Sequence, residues 1–207
     1  GFKAPSLYQM YYPQYGNPDL KKEKSFLVDC GFEQPLFDDV LVLGCTFFQN
    51  RYTDLINFVG MKYSNTPKVR TRGLESNLAF NMGENFMLNA SYTWTLTRDY
   101  STDRSLYKRP EHVASLSLLA RFLDKGDASV SAVYTGRRRD VDTTVYPSRD
   151  VILEDYVKVD VGMSWWIIPQ LQIFGRIVNL TNSDYQEVYG YSSAGISFYG
   201  GLKGMLM

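Results

Sequence analysis

The chain has few ligands for chemistry. Its 207 residues include two cysteines, Cys30 and Cys45, and a single histidine, His112. A zinc centre takes three or four ligands of these types at set spacings, and none are grouped here, so no metal site is read from the sequence. A charge excess is also lacking, with 22 basic and 22 acidic residues. Without a basic surplus to neutralise phosphates, nucleic acid is not expected as a partner. No window approaches 18 consecutive apolar residues, which excludes a transmembrane helix. No Gly-rich phosphate loop and no Ser/His/Asp order surrounds His112, so no catalytic residues are assigned and no enzyme is expected. Asp99, Asp103 and Glu111 read as solvated loop carboxylates. The two cysteines fall in consecutive strand candidates, where they are either a cross-strand disulfide or two small apolar residues facing lipid.

What is abundant is aromatic. Phe, Trp and Tyr make up 15% of the chain, and 16 of these residues are tyrosines. A tyrosine has an apolar ring and a polar tip, which suits a membrane–water boundary. The dominant period is two. Phe86, Leu88, Ala90, Tyr92, Trp94 and Leu96 share one face; Met87, Asn89, Ser91, Thr93 and Thr95 share the other. The pattern recurs at Phe26–Phe32, Ala114–Phe122, Val130–Tyr134 and Val157–Trp165. It is weaker near Val40–Arg51, Val69–Phe80, Leu171–Leu180 and Ile196–Leu206. This gives an all-β chain of about nine antiparallel strands, long enough to cross a bilayer at a tilt, which takes roughly 9–11 residues. No helix is predicted.

The connections alternate in length. Short links are expected at Gln34–Asp39, Asn81–Asn85, Leu123–Asp127 and Ile167–Gln170. Long polar links are expected at Asp54–Lys68, Arg98–Tyr107, Arg138–Asp155 and Asn182–Gly195. Short turns on one side and long loops on the other are the habit of outer-membrane barrels. Gly126 is expected at the left-handed position of its turn, and Pro35 and Pro169 in turns. A barrel in lipid must close, and bacterial single-chain barrels have an even strand count. Nine strands are therefore expected to be completed by others upstream of Gly1.

Several motifs carry a resemblance. GFKAPSLYQMYYPQYGNPDLKKEKS at the N-terminus holds Gly16, Asn17, Pro18, Leu20, Glu23, Lys24 and Ser25 in family order. NRYTDLI (Asn50–Ile56), RGLES (Arg72–Ser76), YKRPEH (Tyr107–His112) and IVNLTNSDYQEVYGYSSAG (Ile177–Gly195) follow. Together they resemble the TonB-dependent outer-membrane receptors, and the last stretch is similar to the cobalamin transporters among them. Lys22 stands where the family usually has Pro, and Leu206 where it usually has an aromatic residue.

The resemblance implies that residues 1–207 are the C-terminal part of a transmembrane β-barrel of roughly 22 strands with a plugged lumen. The plug domain and the earlier strands would lie upstream, as would any calcium-binding loops. No cofactor is implied for the residues present. The implied partners are the TonB complex, reached through the plug, a large scarce solute such as cobalamin, and outer-membrane lipid and lipopolysaccharide. A ferric siderophore or heme is the alternative solute, and a structural or adhesive barrel the alternative role. By the same resemblance Lys108, Arg109, Arg138, Thr143 and Tyr146 fall where ligand-facing residues are expected. Arg137-Arg138-Arg139-Asp140 also reads as a rim contact for ligand or lipopolysaccharide phosphate. Trp94, Trp165 and Trp166 read as membrane-interface aromatics.

Overall fold

A computed structural model describes residues 1–205, and Leu206, the expected terminal anchor, lies outside them. The elements are β1 (Phe2–Lys3), α1 (Leu7–Tyr11), β2 (Glu23–Leu36), β3 (Leu41–Val59), β4 (Lys62–Met82), β5 (Phe86–Asp99) and β6 (His112–Phe122). They continue with β7 (Gly126–Thr135), β8 (Arg138–Asp142), β9 (Arg149–Leu153), β10 (Tyr156–Ile168), β11 (Leu171–Val178) and β12 (Ser197–Gly204). Ten strands form one antiparallel sheet in the order β1-β2-β3-β4-β5-β6-β7-β10-β11-β12, and β8 pairs only with β9. All nine expected strands are present. The additions are the two-residue β1, the β8–β9 hairpin inside a long link, and α1, a single turn capped by Ser6 and Gln9. The sequence pattern missed α1 because one turn is shorter than any amphipathic repeat.

Register sorts the residues into rows across the strands. One outer row reads Leu36, Leu41, Phe80, Leu88, Leu118, Val130, Val161, Ile177 and Phe198. The adjacent inner row reads Val42, Ala79, Asn89, Ser117, Ser131 and Asp160. The polar face is concave: Asp29, Gly31, Glu33, Thr46, Asn77 and Ser91 help line a hollow of about 560 Å³. Cross-strand contacts of small polar groups run along it, as between the Ser91 and Ser115 hydroxyls at 2.7 Å.

Three local expectations need correction. The Asp54–Lys68 link is no loop, because β3 and β4 run on as a hairpin to a tight turn at Gly60-Met61. Its polar residues misled because a strand outside the membrane needs no apolar alternation. Gly126 lies at the start of β7, and the left-handed residues of its turn are Leu123 and Asp124. A Cβ on Gly126 would lie 2.5 Å from the Phe122 ring and 2.6 Å from the Trp165 ring, so the glycine makes room for two aromatics 5.6 Å apart. Pro35 lies within β2, opposite Val42, while Pro169 is in its turn. Cys30 faces Phe47 and Cys45 faces Phe32, and both thiols are free.

The first motif docks onto the extended hairpin. Asn17 Nδ2 donates to the Tyr63 carbonyl at 2.9 Å, and Tyr63 N–H donates to the Tyr15 carbonyl at 3.0 Å. Ile56 N–H donates to Glu23 at 2.8 Å. Leu20, Ile56 and Val69 are the buried apolar side chains of this region. Tyr8, Tyr12, Tyr15, Phe58 and Tyr63 form a run of ring contacts over it.

Candidate functional site

At the end of the sheet where the long connections gather, β8 alternates buried and half-buried positions. Arg138, Asp140 and Asp142 point into the protein although all three are charged. A charge is buried only where partners replace water. The partners come from the connection after β11, from Lys108 and Tyr156, and from the hairpin itself. Arg138 Nη2 donates to the Gln186 carbonyl at 2.6 Å, and the guanidinium lies 5.7 Å from the Tyr156 ring centroid. Tyr156 stacks on Tyr185 at 4.1 Å. Asp140 accepts from Tyr189 N–H at 2.8 Å and lies 3.8 Å from the Lys108 ammonium. Asp142 accepts from the Thr144 hydroxyl and N–H at 2.6 and 3.0 Å and from Arg149 at 3.1 Å. The hydroxyl above all holds the Asp142 carboxyl below the ordinary carboxylate range.

The opposite side of the hairpin binds the connection between β5 and β6. Arg139 Nη1 donates to the Ser105 carbonyl at 2.6 Å, and Lys108 N–H donates to the Arg139 carbonyl at 2.7 Å. Asp150 accepts from the Tyr107 hydroxyl, from Arg104 at 2.7 Å and from Arg139 at 2.7 Å. That hydroxyl, then Arg139, lowers the Asp150 carboxyl and leaves the Tyr107 phenol raised. The hairpin is thus clamped between two long connections, by hydrogen bonds to the one after β11 and by ion pairs as well to the one between β5 and β6.

A hollow of about 460 Å³ opens at the root of this hairpin, lined by Arg109, Glu111, His112, Tyr134, Arg137 and Arg138 among others. Arg138 Nη1 is buried and has no hydrogen-bond partner among the described residues. Arg137 pairs with Glu154 at 2.7 Å. Of the residues expected to face a ligand, the structure brings Arg109 and Arg138 to this hollow and sets Lys108 beside Asp140. Thr143 and Tyr146 stand apart at the exposed hairpin tip. Arg138 and Arg139 are turned into the loop network rather than along an open rim. Sequence reasoning gave no individual role to Tyr107, Asp140, Asp150 or Gln186. Tyr107 and Gln186 lie inside quoted motifs and Asp140 closes the arginine run, while Asp150 had no signal.

Trp94 and Trp165 lie on the apolar face, opposite His112 and Ile173. Trp166 takes the other face, opposite Gln172. Neighbouring strand residues point to opposite sides, so Trp166 departs from the expected girdle.

Residues 1–180 match the family model described as TonB dependent receptor-like, beta-barrel. The chain belongs to that family. Its strands are those of an outer-membrane β-barrel. Over 201 residues, or 96% of the chain, it is 29% identical to the vitamin B12 transporter BtuB of Vibrio cholerae, covering 32% of that protein. It thus spans about a third of the length of the curated relatives it matches. Among solved structures it superposes on the ferric enterobactin receptor PfeA of Pseudomonas aeruginosa with a TM-score of 0.78 at 21% identity, covering 99% of this chain and 36% of that one. The ferric-catecholate import receptor Fiu of E. coli K12 gives a TM-score of 0.76 at 20% identity, with 96% and 30% covered. These likenesses concern the fold.

Proposed function

We propose that this chain is the C-terminal part of the barrel of a receptor that imports cobalamin or a related corrinoid. The observation that carries the reading is the alignment with the vitamin B12 transporter, which runs along 96% of the chain. In this reading the solute binds among the long connections at the outer face. It then passes the lumen when the TonB complex acts on an upstream plug, and no bond in it is made or broken. Lys108, Arg109, Arg138, Thr143 and Tyr146 are the proposed ligand-facing residues, and outer-membrane lipid surrounds the band bounded by Trp94 and Trp165. Guanidinium groups suit the amide and phosphate oxygens of a large polar solute. The position of Arg109 and Arg138 at the hollow supports that role.

A ferric siderophore is the second reading, favoured by the fold likeness to PfeA and Fiu. Calorimetric titration of the full-length receptor with cyanocobalamin and with ferric enterobactin separates the two. Corrinoid binding with no siderophore binding is the expected result; the opposite pair of results overturns the proposal.

A further inference from the structure

On the outer face the apolar rows give way to cations. Register sets Arg51 of β3 opposite Arg70 of β4, and Arg70 opposite Arg98 of β5. Strand alternation puts all three on the face of Phe47, Leu74 and Trp94. Tyr100 follows Arg98 beyond β5, and its N–H donates to the Lys68 carbonyl at 3.0 Å. The Lys68 ammonium and the Arg70 and Arg98 guanidinium groups lie 4.8, 5.6 and 5.5 Å from the Tyr100 ring centroid. Arg98 has a carboxylate partner in Asp103. Arg51, Lys68 and Arg70 have no ion pair among the described residues.

Folding alone does not account for this row. Like charges directly opposite on adjacent strands destabilise a sheet. On the lumenal side the chain avoids the arrangement: Arg121 faces Asp127, with an ion pair at 3.2 Å. The height of the row is informative. From Phe86 to Leu96 the outer face of β5 is apolar over ten residue steps, about 33 Å of strand, or about 23 Å of height at a 45° tilt. That is close to the apolar band of an outer-membrane barrel. Arg98 is the next outward position, where a barrel wall meets headgroups instead of hydrocarbon.

Arginine binds phosphate oxygens in a bidentate, charge-assisted way, and tyrosine suits the boundary. We infer that Arg51, Arg70 and Arg98, with Lys68 and Tyr100, form a site on the outer wall of the barrel for the phosphorylated headgroup of an outer-leaflet glycolipid. The site is separate from the hollow at the β8–β9 hairpin. It rests on the proposed orientation, long connections outward, because the reverse would set the row among inner-leaflet phospholipids.

Native mass spectrometry of the delipidated full-length receptor tests this. The probes are lipid A, phosphatase-treated lipid A, phosphatidylglycerol and inorganic phosphate. Lipid A is expected to bind roughly tenfold tighter than its dephosphorylated form or phosphatidylglycerol. The double variant Arg51→Gln/Arg70→Gln, shown folded by heat-modifiable migration, is expected to lose that advantage. Unchanged lipid A binding by the variant overturns the site. Equal binding of phosphatidylglycerol overturns the leaflet, and competition by inorganic phosphate at concentrations matching lipid A overturns the lipid as ligand. Should the Gln variant fail to fold, Arg51→Lys/Arg70→Lys keeps the charge and loses the bidentate fork, and it is expected to bind lipid A more weakly than the wild type; equal binding counts against the site. Cyanocobalamin binding is measured on the same preparations. Its absence alongside intact lipid A binding sinks the corrinoid reading and leaves this one standing.

Discussion

The backbone N–H of Asn179 donates to Asp160 Oδ1 at 2.9 Å, at the first residue after β11, where the chain turns left-handed. The Asn179 side chain then organises the connection that follows. Its Nδ2 donates to the Ser183 and Ala194 carbonyls at 3.0 and 3.1 Å, and its Oδ1 accepts from Ser183 N–H at 3.0 Å. Asn179 is almost fully buried. Asparagine is among the few residues that tolerate this backbone conformation. Asn179→Ala leaves two partly buried carbonyls and an N–H without this partner and adds backbone strain. We expect it to destabilise the full-length barrel by about 3 kcal/mol in reversible urea unfolding. A loss below 0.5 kcal/mol, within ordinary surface variation, would show that the connection is held by other contacts.

The clamp on the β8–β9 hairpin makes a pH prediction. Asp142 and Asp150 both have folded-state pKa values below the ordinary carboxylate value, Asp142 chiefly through the Thr144 hydroxyl and Asp150 through the Tyr107 hydroxyl and Arg139. A depressed carboxylate contributes stability that is fully present above its unfolded pKa, about 3.9. That contribution is lost as pH falls through the lower folded value. Hydrogen exchange across residues 138–153, corrected for intrinsic rate, should therefore be unchanged between pH 7 and pH 5 and should quicken below about pH 4. Asp150→Asn should quicken exchange already at pH 7. A hairpin equally protected at acid and neutral pH would mean that these pairs do not hold it.

Much of this fold was legible because one face of each strand is apolar and the other is not. Leu88, Leu118 and Val130 alternate with Asn89, Ser117 and Ser131, and register confirms that each set shares a face. Where an element has no continuous apolar face, the apolar period carries no information. That is why the outer ends of β3 and β4 read as a loop, and why β8, whose buried positions Arg138, Asp140 and Asp142 are all charged, went unseen. The motifs were visible as strings, but not their purpose. The Asn17 and Asn179 side chains satisfy backbone carbonyls 46 and 15 residues away, at Tyr63 and Ala194, and the Asp140 carboxylate satisfies the Tyr189 N–H 49 residues away. Such partners cannot be paired from spacing. Trp165-Trp166 illustrates the simplest error, since neighbours in a strand cannot both face lipid.

The two faces can be tested directly. Leu88 and Leu118 are opposite each other in the apolar band, and Asn89 is on the concave side opposite Ser117. Leu88→Arg and Leu118→Arg should each cost about 2–4 kcal/mol in the full-length receptor folded into lipid vesicles. Asn89→Arg, facing the wet interior, should cost much less. Comparable losses at Leu88 and Asn89 in unfolding titrations would refute the assigned faces.

The last prediction concerns the 207-residue chain on its own. Its sheet is open. β1 covers β2 only at Lys24 and Glu23, so from Phe26 to Leu36 one side of β2 has no neighbouring strand. β12 pairs with β11 on one side and, among the described residues, has no strand on the other. Series of unpaired N–H and C=O groups are templates for further strands. Both edges are also apolar, with Phe26, Phe32, Phe198 and Leu202 exposed. Between them runs the unbroken outer row from Leu41 through Leu88 and Leu118 to Ile177, far larger than the patches a soluble monomer tolerates. Hydrocarbon or detergent covers that band, and water does not. The isolated chain should therefore be insoluble after expression without detergent and should bind no solute tightly, because the edges that would complete its lumen have no partners. Size-exclusion chromatography with light scattering decides the matter. A compact, soluble monomer would mean that β2 and β12 find each other and close the sheet.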